Sequence, residues 1–230
     1  MPIKIYAIPG TFCNENVWKE LIKTLPIGFE LININIPLKS SISEIIDSLE
    51  KQLPKEPSLL LGFSFGGYII SAFSLKYPQR VKKLLIISDL LDKLTDEESK
   101  GRKQFSSFIK SDGFSGVSKE LVMSVLHPNK QKDTQLHNEI IQMSQSISVE
   151  VAQNQLLASI TREDIIKKVG RLGIPTYIVI GDMDKTLNQV NKKIAQNNHI
   201  IQFEQITGSG HFLPLEQPKE MTKVLMNWLF

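Results

Sequence analysis

Ser64 stands between two glycines where two apolar runs meet, in the stretch LLLGFSFGGYII at residues 59–70. A serine hydroxyl becomes a strong nucleophile only when a base takes its proton and a third group orients that base. Histidine and a carboxylate fill those roles near neutral pH. The chain supplies both downstream. Asp182 and Asp184 lie in GDMDK, directly after the apolar TYIVI, and His211 lies in the glycine-rich GSGHF. The order serine, acid, histidine is the one used where a serine sits on a strand-to-helix turn. The other histidines suit the base role less. His127 precedes a proline, His137 falls in a helical stripe, and His199 precedes an apolar run. Cys13 is the only cysteine, so it forms no internal disulfide and no CxxC pair. No histidine neighbours it, and it reads as a small buried side chain.

The elements that must position these residues alternate along the chain. Short apolar runs at 3–8, 29–36, 58–63, 82–88, 176–181 and 199–206 read as strands. Several are apolar throughout, as expected of parallel strands covered on both faces. Between them, Val17, Trp18, Leu21, Ile22 and Leu25 keep a helical spacing, as do Ile42, Ile45, Ile46, Leu49 and Leu53, with Ser43 as the expected N-cap. Residues 66–76 form an apolar helix that Tyr77-Pro78 ends. A last helix is expected from about Lys219 to Phe230. Strand and helix in alternation predict an α/β fold with a doubly wound, mostly or wholly parallel sheet of about six strands.

Gly62-Phe63-Ser64-Phe65-Gly66 then falls between a buried strand and a helix, the context in which G-x-S-x-G lifts a serine above a sheet edge. In so tight a turn, side chains at 62 and 66 would collide. The new helix N-terminus favours a developing anion beside the serine.

Residues 89–170 break the alternation. TDEE at 95–98 has a capping-box pattern ahead of Phe105, Phe108 and Ile109, and Leu136, Ile140, Met143 and Ile147 form another helical stripe. The expected organisation is a core of residues 1–88 and 171–230 with a helical cap, 89–170, inserted over the sheet's carboxyl edge.

Composition narrows the function. The 230 residues carry a net charge of +3, with basic and acidic side chains intermixed, so no nucleic-acid footprint is expected. No HExxH pair or other metal motif occurs. The N-terminus MPIKIYAIPG reads as a strand rather than a signal peptide, and no apolar run approaches the roughly 18 residues of a membrane span. The expectation is a cytoplasmic protein without membrane partners.

On GFSFGG, IPTYIVIGDMD and GSGHFLPLEQP the chain resembles the α/β-hydrolase family from its first strand to its last helix. That resemblance implies a triad of Ser64, Asp184 and His211, since the family's acid usually lies three residues after the glycine. Asp182 is the alternative, and Asp89 a more distant one. It implies an oxyanion hole of the Phe65 and Thr11 amides, with IPGTFCNENVW resembling the family's H-G-x loop. Pro9 replaces the usual histidine there and Gly10 is kept. Two further departures are a missing leading hairpin and a second-strand loop, IPLKSSIS, without the common glycines.

The implied activity is cleavage of a carboxylic ester or thioester through an acyl-enzyme, with no metal or organic cofactor. Phe12, Phe105, Phe108 and Phe212 are candidates for an apolar acyl pocket. The motifs are also similar to those of carboxylesterases that act on a pimeloyl-carrier-protein methyl ester, so an acyl carrier protein is a candidate partner. A carbon–carbon hydrolase and a non-catalytic small-molecule receptor are the alternatives on the same scaffold. Dehalogenase and epoxide hydrolase chemistry would need aspartate at position 64. Hydroxynitrile lyase chemistry would need a lysine where Phe212 stands.

Overall fold

The computed structural model describes residues 1–230. Six strands, β1 (Ile3–Ile8), β2 (Phe29–Asn33), β3 (Ser58–Phe63), β4 (Val81–Ile87), β5 (Thr176–Gly181) and β6 (Ile201–Ile206), form one sheet in the order β2-β1-β3-β4-β5-β6. Every pairing is parallel. Burial follows position in the sheet. All six residues of central β3 are buried, whereas edge strand β6 buries only its two end residues, Ile201 and Ile206.

Alternate residues of the central strands feed two separate cores. Leu60, Ile86 and Ile178 point to the face covered by α2 (Ile42–Gln52), α3 (Phe65–Lys76), α8 (Ile166–Val169) and α9 (Gln189–Gln196). Leu61, Leu85 and Val179 point to the face covered by α1 (Lys19–Thr24) and α11 (Pro218–Leu229). Each such fully buried aliphatic side chain contributes about 1.5–3 kcal/mol of transfer free energy. The period of two along β3 and β4 is therefore fixed from both sides.

Helix starts follow local chemistry. Thr95 and Glu98 form the capping box of α4 (Asp96–Asp112). In α2 the cap is Ser41, whose Oγ accepts from Glu44 N, and not Ser43. Ser41 and Glu44 have the S-x-x-E spacing that lets each satisfy the other, and Ser43 lacks such a partner.

Between β4 and β5 the chain forms α4, α5 (Lys119–Val125), α6 (Thr134–Gln145), α7 (Val149–Ile160) and α8. Ile109 of α4 packs with Ala152 and Leu156 of α7, beside Phe12 of the loop after β1. Val122 of α5 and Ile140 of α6 pack on Leu215 of α10 (Leu213–Glu216). The last helix of the segment, α8, joins the sheet-flanking core through Ile166 and Val169. No helix is long and apolar enough to cross a membrane.

Candidate active site

The strand order reverses between β1 and β3, and residues that follow those two strands meet there. Open α/β sheets bind ligands at such a switch point, outside the carboxyl ends of the strands. Ile8 of β1 is in register with Gly62 of β3, and Phe63 with Ile87 of β4. Thr11, Ser64 and Asp89 therefore emerge side by side. Asp184 follows β5, and His211 follows β6.

Ser64 occupies φ 51° and ψ −122°, a conformation that non-glycine residues adopt only under constraint. Its amide donates to Ile87 O at 2.7 Å, and its carbonyl receives the amides of Gly67 and Tyr68. The flanking glycines are required by close approach. A Cβ on Gly62 would lie 2.5 Å from the Gly66 backbone. A Cβ on Gly66 would lie 2.1 Å from Ile8 O, so this second collision is with the end of β1 and not with residue 62. Positive φ also occurs at Phe12, Ser88 and Leu91, all close to the same edge.

His211 Nε2 lies 3.0 Å from Ser64 Oγ, and His211 Nδ1 lies 2.8 Å from Asp184 Oδ2. Asp184 Oδ1 accepts from the Thr186 amide at 3.0 Å and from Thr186 Oγ at 2.6 Å. Asp184 is buried, which disfavours its charge, but His211 and the two Thr186 donors outweigh burial and hold its carboxyl below the ordinary range. For His211, burial again opposes the charged form, and the Asp184 carboxylate overcomes it by charge and hydrogen bond. The imidazole pKa is raised above its usual 6.5. A hydroxyl, an imidazole and a carboxylate in this order can pass a proton away from the hydroxyl while it attacks an electrophile.

The Thr11 amide donates no hydrogen bond within the chain, whereas the next amide, Phe12 N, is held by Gln155 Oε1 of α7 at 2.8 Å. Phe65 is the first residue of α3, so its amide has no intrahelical acceptor. A cavity of about 390 Å³ opens over Ser64. Its lining includes the apolar Val122, Val125, Ile140, Leu156 and Phe212 and the charged Asp89, Asp92, Arg102 and Arg162.

A family model, the Ndr family, matches residues 31–230. The chain belongs to the Ndr family. The monoacylglycerol lipase ABHD6 of Bos taurus is 21% identical over 257 residues, covering 98% of this chain and 74% of that protein. The pimeloyl-[acyl-carrier protein] methyl ester esterase of Yersinia pseudotuberculosis is 22% identical over 243 residues, covering 97% and 92%. Among solved structures, a thermophilic esterase from Thermogutta terrifontis superposes with a TM-score of 0.87 at 21% identity, covering 100% of this chain and 90% of that one. The fold is that of the α/β-hydrolases.

In this Ndr-family chain, Asp182 and Asp89 are both engaged away from His211. Asp182 Oδ1 accepts from the amides of Gly208 and Ser209, which fixes the turn leading to His211. Asp89 Oδ1 receives the Leu91 amide at 2.7 Å and pairs with Arg162 at 3.1 Å. Of the candidate pocket residues, Phe12 and Phe212 line the cavity. Phe105 and Phe108 do not. Phe105 stands behind Phe12 with ring centroids 6.2 Å apart, and Phe108, stacked on Phe105, is exposed. Phe105 packs toward α7, Phe108 faces solvent, and α4 reaches the cavity through Glu98 and Arg102 instead. Burial pushes the Cys13 thiol up to about 12, so it carries no thiolate at neutral pH.

Thr186, Glu216 and Arg102 belong to the site and were not singled out by the sequence. Glu216 Oε2 accepts from the amides of Gly210 at 3.0 Å and His127 at 2.9 Å. The spacing Asp-x-Thr at 184–186 hints at Thr186. Nothing in the sequence around Arg102 distinguishes it from the neighbouring lysines on α4.

Proposed function

We propose that the protein is a serine hydrolase that cleaves carboxylic esters or thioesters through an acyl-enzyme on Ser64. One observation carries the reading: the unbroken relay from Ser64 Oγ through His211 to Asp184, with contacts of 3.0 and 2.8 Å, at the mouth of a cavity.

In the first half-reaction, His211 Nε2 takes the Ser64 proton as Oγ attacks the carbonyl carbon. The oxyanion is met by the amides of Phe65 and Thr11. His211 then protonates the departing alkoxide or thiolate, leaving the acyl group on Oγ. In the second, His211 draws a proton from water as it attacks the acyl carbon, and returns the proton to Oγ. Asp184 keeps the Nδ1–H tautomer and steadies the imidazolium. These steps call for no metal or organic cofactor.

Residues 89–170 serve as the cap, with α5, α6 and α7 giving the apolar wall for the acyl chain. Phe12 and Phe212 close that wall near Ser64. The names of the relatives, a monoacylglycerol lipase and a methyl ester esterase of a carrier-bound acyl group, support an aliphatic acyl ester as the substrate class. A carrier-bound acyl group fits the same reading.

The test is hydrolysis of p-nitrophenyl esters of increasing acyl length by the purified protein and by Ser64→Ala. Turnover that disappears in the variant is the expected result, together with acylation of the Ser64 peptide detected by mass spectrometry. Equal turnover by both proteins would remove Ser64 from the chemistry. Binding of an ester without turnover would favour a receptor.

A further inference from the structure

Arg102 lies on α4 and lines the cavity that holds Ser64. Its guanidinium makes one hydrogen bond in the chain, Nη1 to Ser159 Oγ at 2.8 Å, and has no carboxylate at ion-pair distance. Its neighbour Arg162 lines the same cavity but is fully paired. Arg162 Nη2 lies 3.1 Å from Asp89 Oδ1 and 3.7 Å from Asp92 Oδ1, Nε donates to Asp92 O, and the guanidinium covers the Tyr68 ring at 4.2 Å.

The acids around Arg102 are engaged elsewhere. Asp89 is held by Arg162 and Leu91 N. Glu98 Oε2 is held by the Thr95 amide and hydroxyl. Asp92 contacts Arg162, and burial together with the nearby Asp89 charge raises its carboxyl above the ordinary range. That leaves Arg102 without a direct ion pair, with Glu98 and Asp89 favouring its charge only from a longer distance. Burial, with Arg162 adding repulsion, pushes its pKa down to about 10, so it stays charged at neutral pH. A partly desolvated charge without a partner is costly, and an arginine fork offers paired donors to a planar carboxylate.

We propose that Arg102 is an anion subsite, and that the preferred substrate is the half-ester of an aliphatic dicarboxylic acid. This rests on the serine-hydrolase reading and adds the substrate class to it. The ester carbonyl sits at Ser64, the methylene chain lies along Val122, Ile140 and Leu156, and the free carboxylate pairs with Arg102. Arg102 determines specificity by binding the remote end of the substrate and takes no part in the bond-making steps.

The test compares mono-p-nitrophenyl adipate with p-nitrophenyl hexanoate, which have equal acyl lengths. Wild type should favour the adipate by at least about tenfold in kcat/KM, mainly through KM, the range expected for hydrogen bonds to a charged group. Arg102→Gln should bring the ratio close to one, and Arg102→Lys should keep part of the preference. Each ratio is measured on one preparation, so an unfolded fraction cancels. Turnover with no preference for the adipate in wild type, or an unchanged preference in Arg102→Gln, overturns the subsite and leaves the hydrolase reading standing. Calorimetric titration of Ser64→Ala with monomethyl adipate separates the other failure. Binding that needs Arg102, in a protein without turnover on either ester, would uphold the subsite and sink the hydrolase reading. Absence of binding to Ser64→Ala, with no adipate preference in wild type, would sink the subsite.

Discussion

Asp182 and Asp184 are two residues apart on one loop and serve different partners. Asp184 Oδ2 contacts His211 Nδ1 at 2.8 Å, while Asp182 Oδ1 holds the amides of Gly208 and Ser209 at 2.9 and 3.2 Å. One carboxylate faces the ring of His211, and the other shapes the turn that delivers it. Asp184→Asn should cut turnover by on the order of 10⁴-fold, the size of the corresponding change in the worked serine-protease triad. Asp182→Asn should leave most of kcat and lower stability by about 1–2 kcal/mol, because its acceptor remains but loses its charge. Kinetics and thermal melts on both variants decide it, and the reverse ranking would reassign the acid.

Turnover should rise with pH. His211 acts as a base only when neutral, and its pKa is raised above 6.5, so the rising limb of kcat/KM should have its midpoint above 6.5. Asp184 supplies the charge and hydrogen bond that raise it, while burial opposes them. Asp184→Asn should therefore move the midpoint to lower pH, along with the fall in rate. A wild-type midpoint below 6.5, or one that does not move in the variant, would contradict this electrostatic account. Neutral-ester rates from pH 5 to 9 provide the measurement.

The elbow glycines differ sharply from a helix glycine in what they tolerate. Gly66→Ala puts a Cβ 2.1 Å from Ile8 O, a backbone atom of β1 that cannot yield without disturbing the sheet. Overpacking of this kind costs about 1–3 kcal/mol and at times more. Gly101, inside α4, has nothing within 4 Å of an added Cβ, and Gly101→Ala should stabilise by about 0.5–1 kcal/mol. Chemical denaturation curves of the two variants should move in opposite directions.

How much of this was legible depends on the range over which each signal acts. The sheet, the elbow and the order of Ser64, Asp184 and His211 are written in local runs and short motifs, and each followed its strand as expected. The α2 cap was missed by two residues because three serines at 40, 41 and 43 compete, and only Ser41 has Glu44 at the reciprocal spacing. Phe105 and Phe108 were expected at the pocket, but a helical stripe reveals only that it is covered, not by what. Here α7 and Phe12 cover Phe105. Arg102 and Glu216 gain their meaning from residues far along the chain, Ser159 and His127, so no local pattern could mark them.

Glu216 carries the last prediction. Its Oε2 receives the amides of Gly210 and His127, and the His211 amide donates to Val125 O at 2.8 Å. The histidine loop is thereby fastened to the end of α5, an element of the helical segment above the cavity. Burial raises the Glu216 carboxyl above the ordinary range, against the pull of those amides, so the site favours an acceptor without strictly needing its charge. Glu216→Gln can still accept through its amide oxygen and should keep most of kcat. Glu216→Ala leaves two amides without their acceptor, at about 1–3 kcal/mol each where water is excluded. It should lower the melting temperature and also let His211 drift from Ser64, so kcat per folded molecule should fall severalfold with KM little changed. Titrating active sites with a fluorophosphonate gives the folded, competent fraction. If kcat per titrated site in Glu216→Ala equals that of wild type, Glu216 only holds the fold together and does not position the histidine.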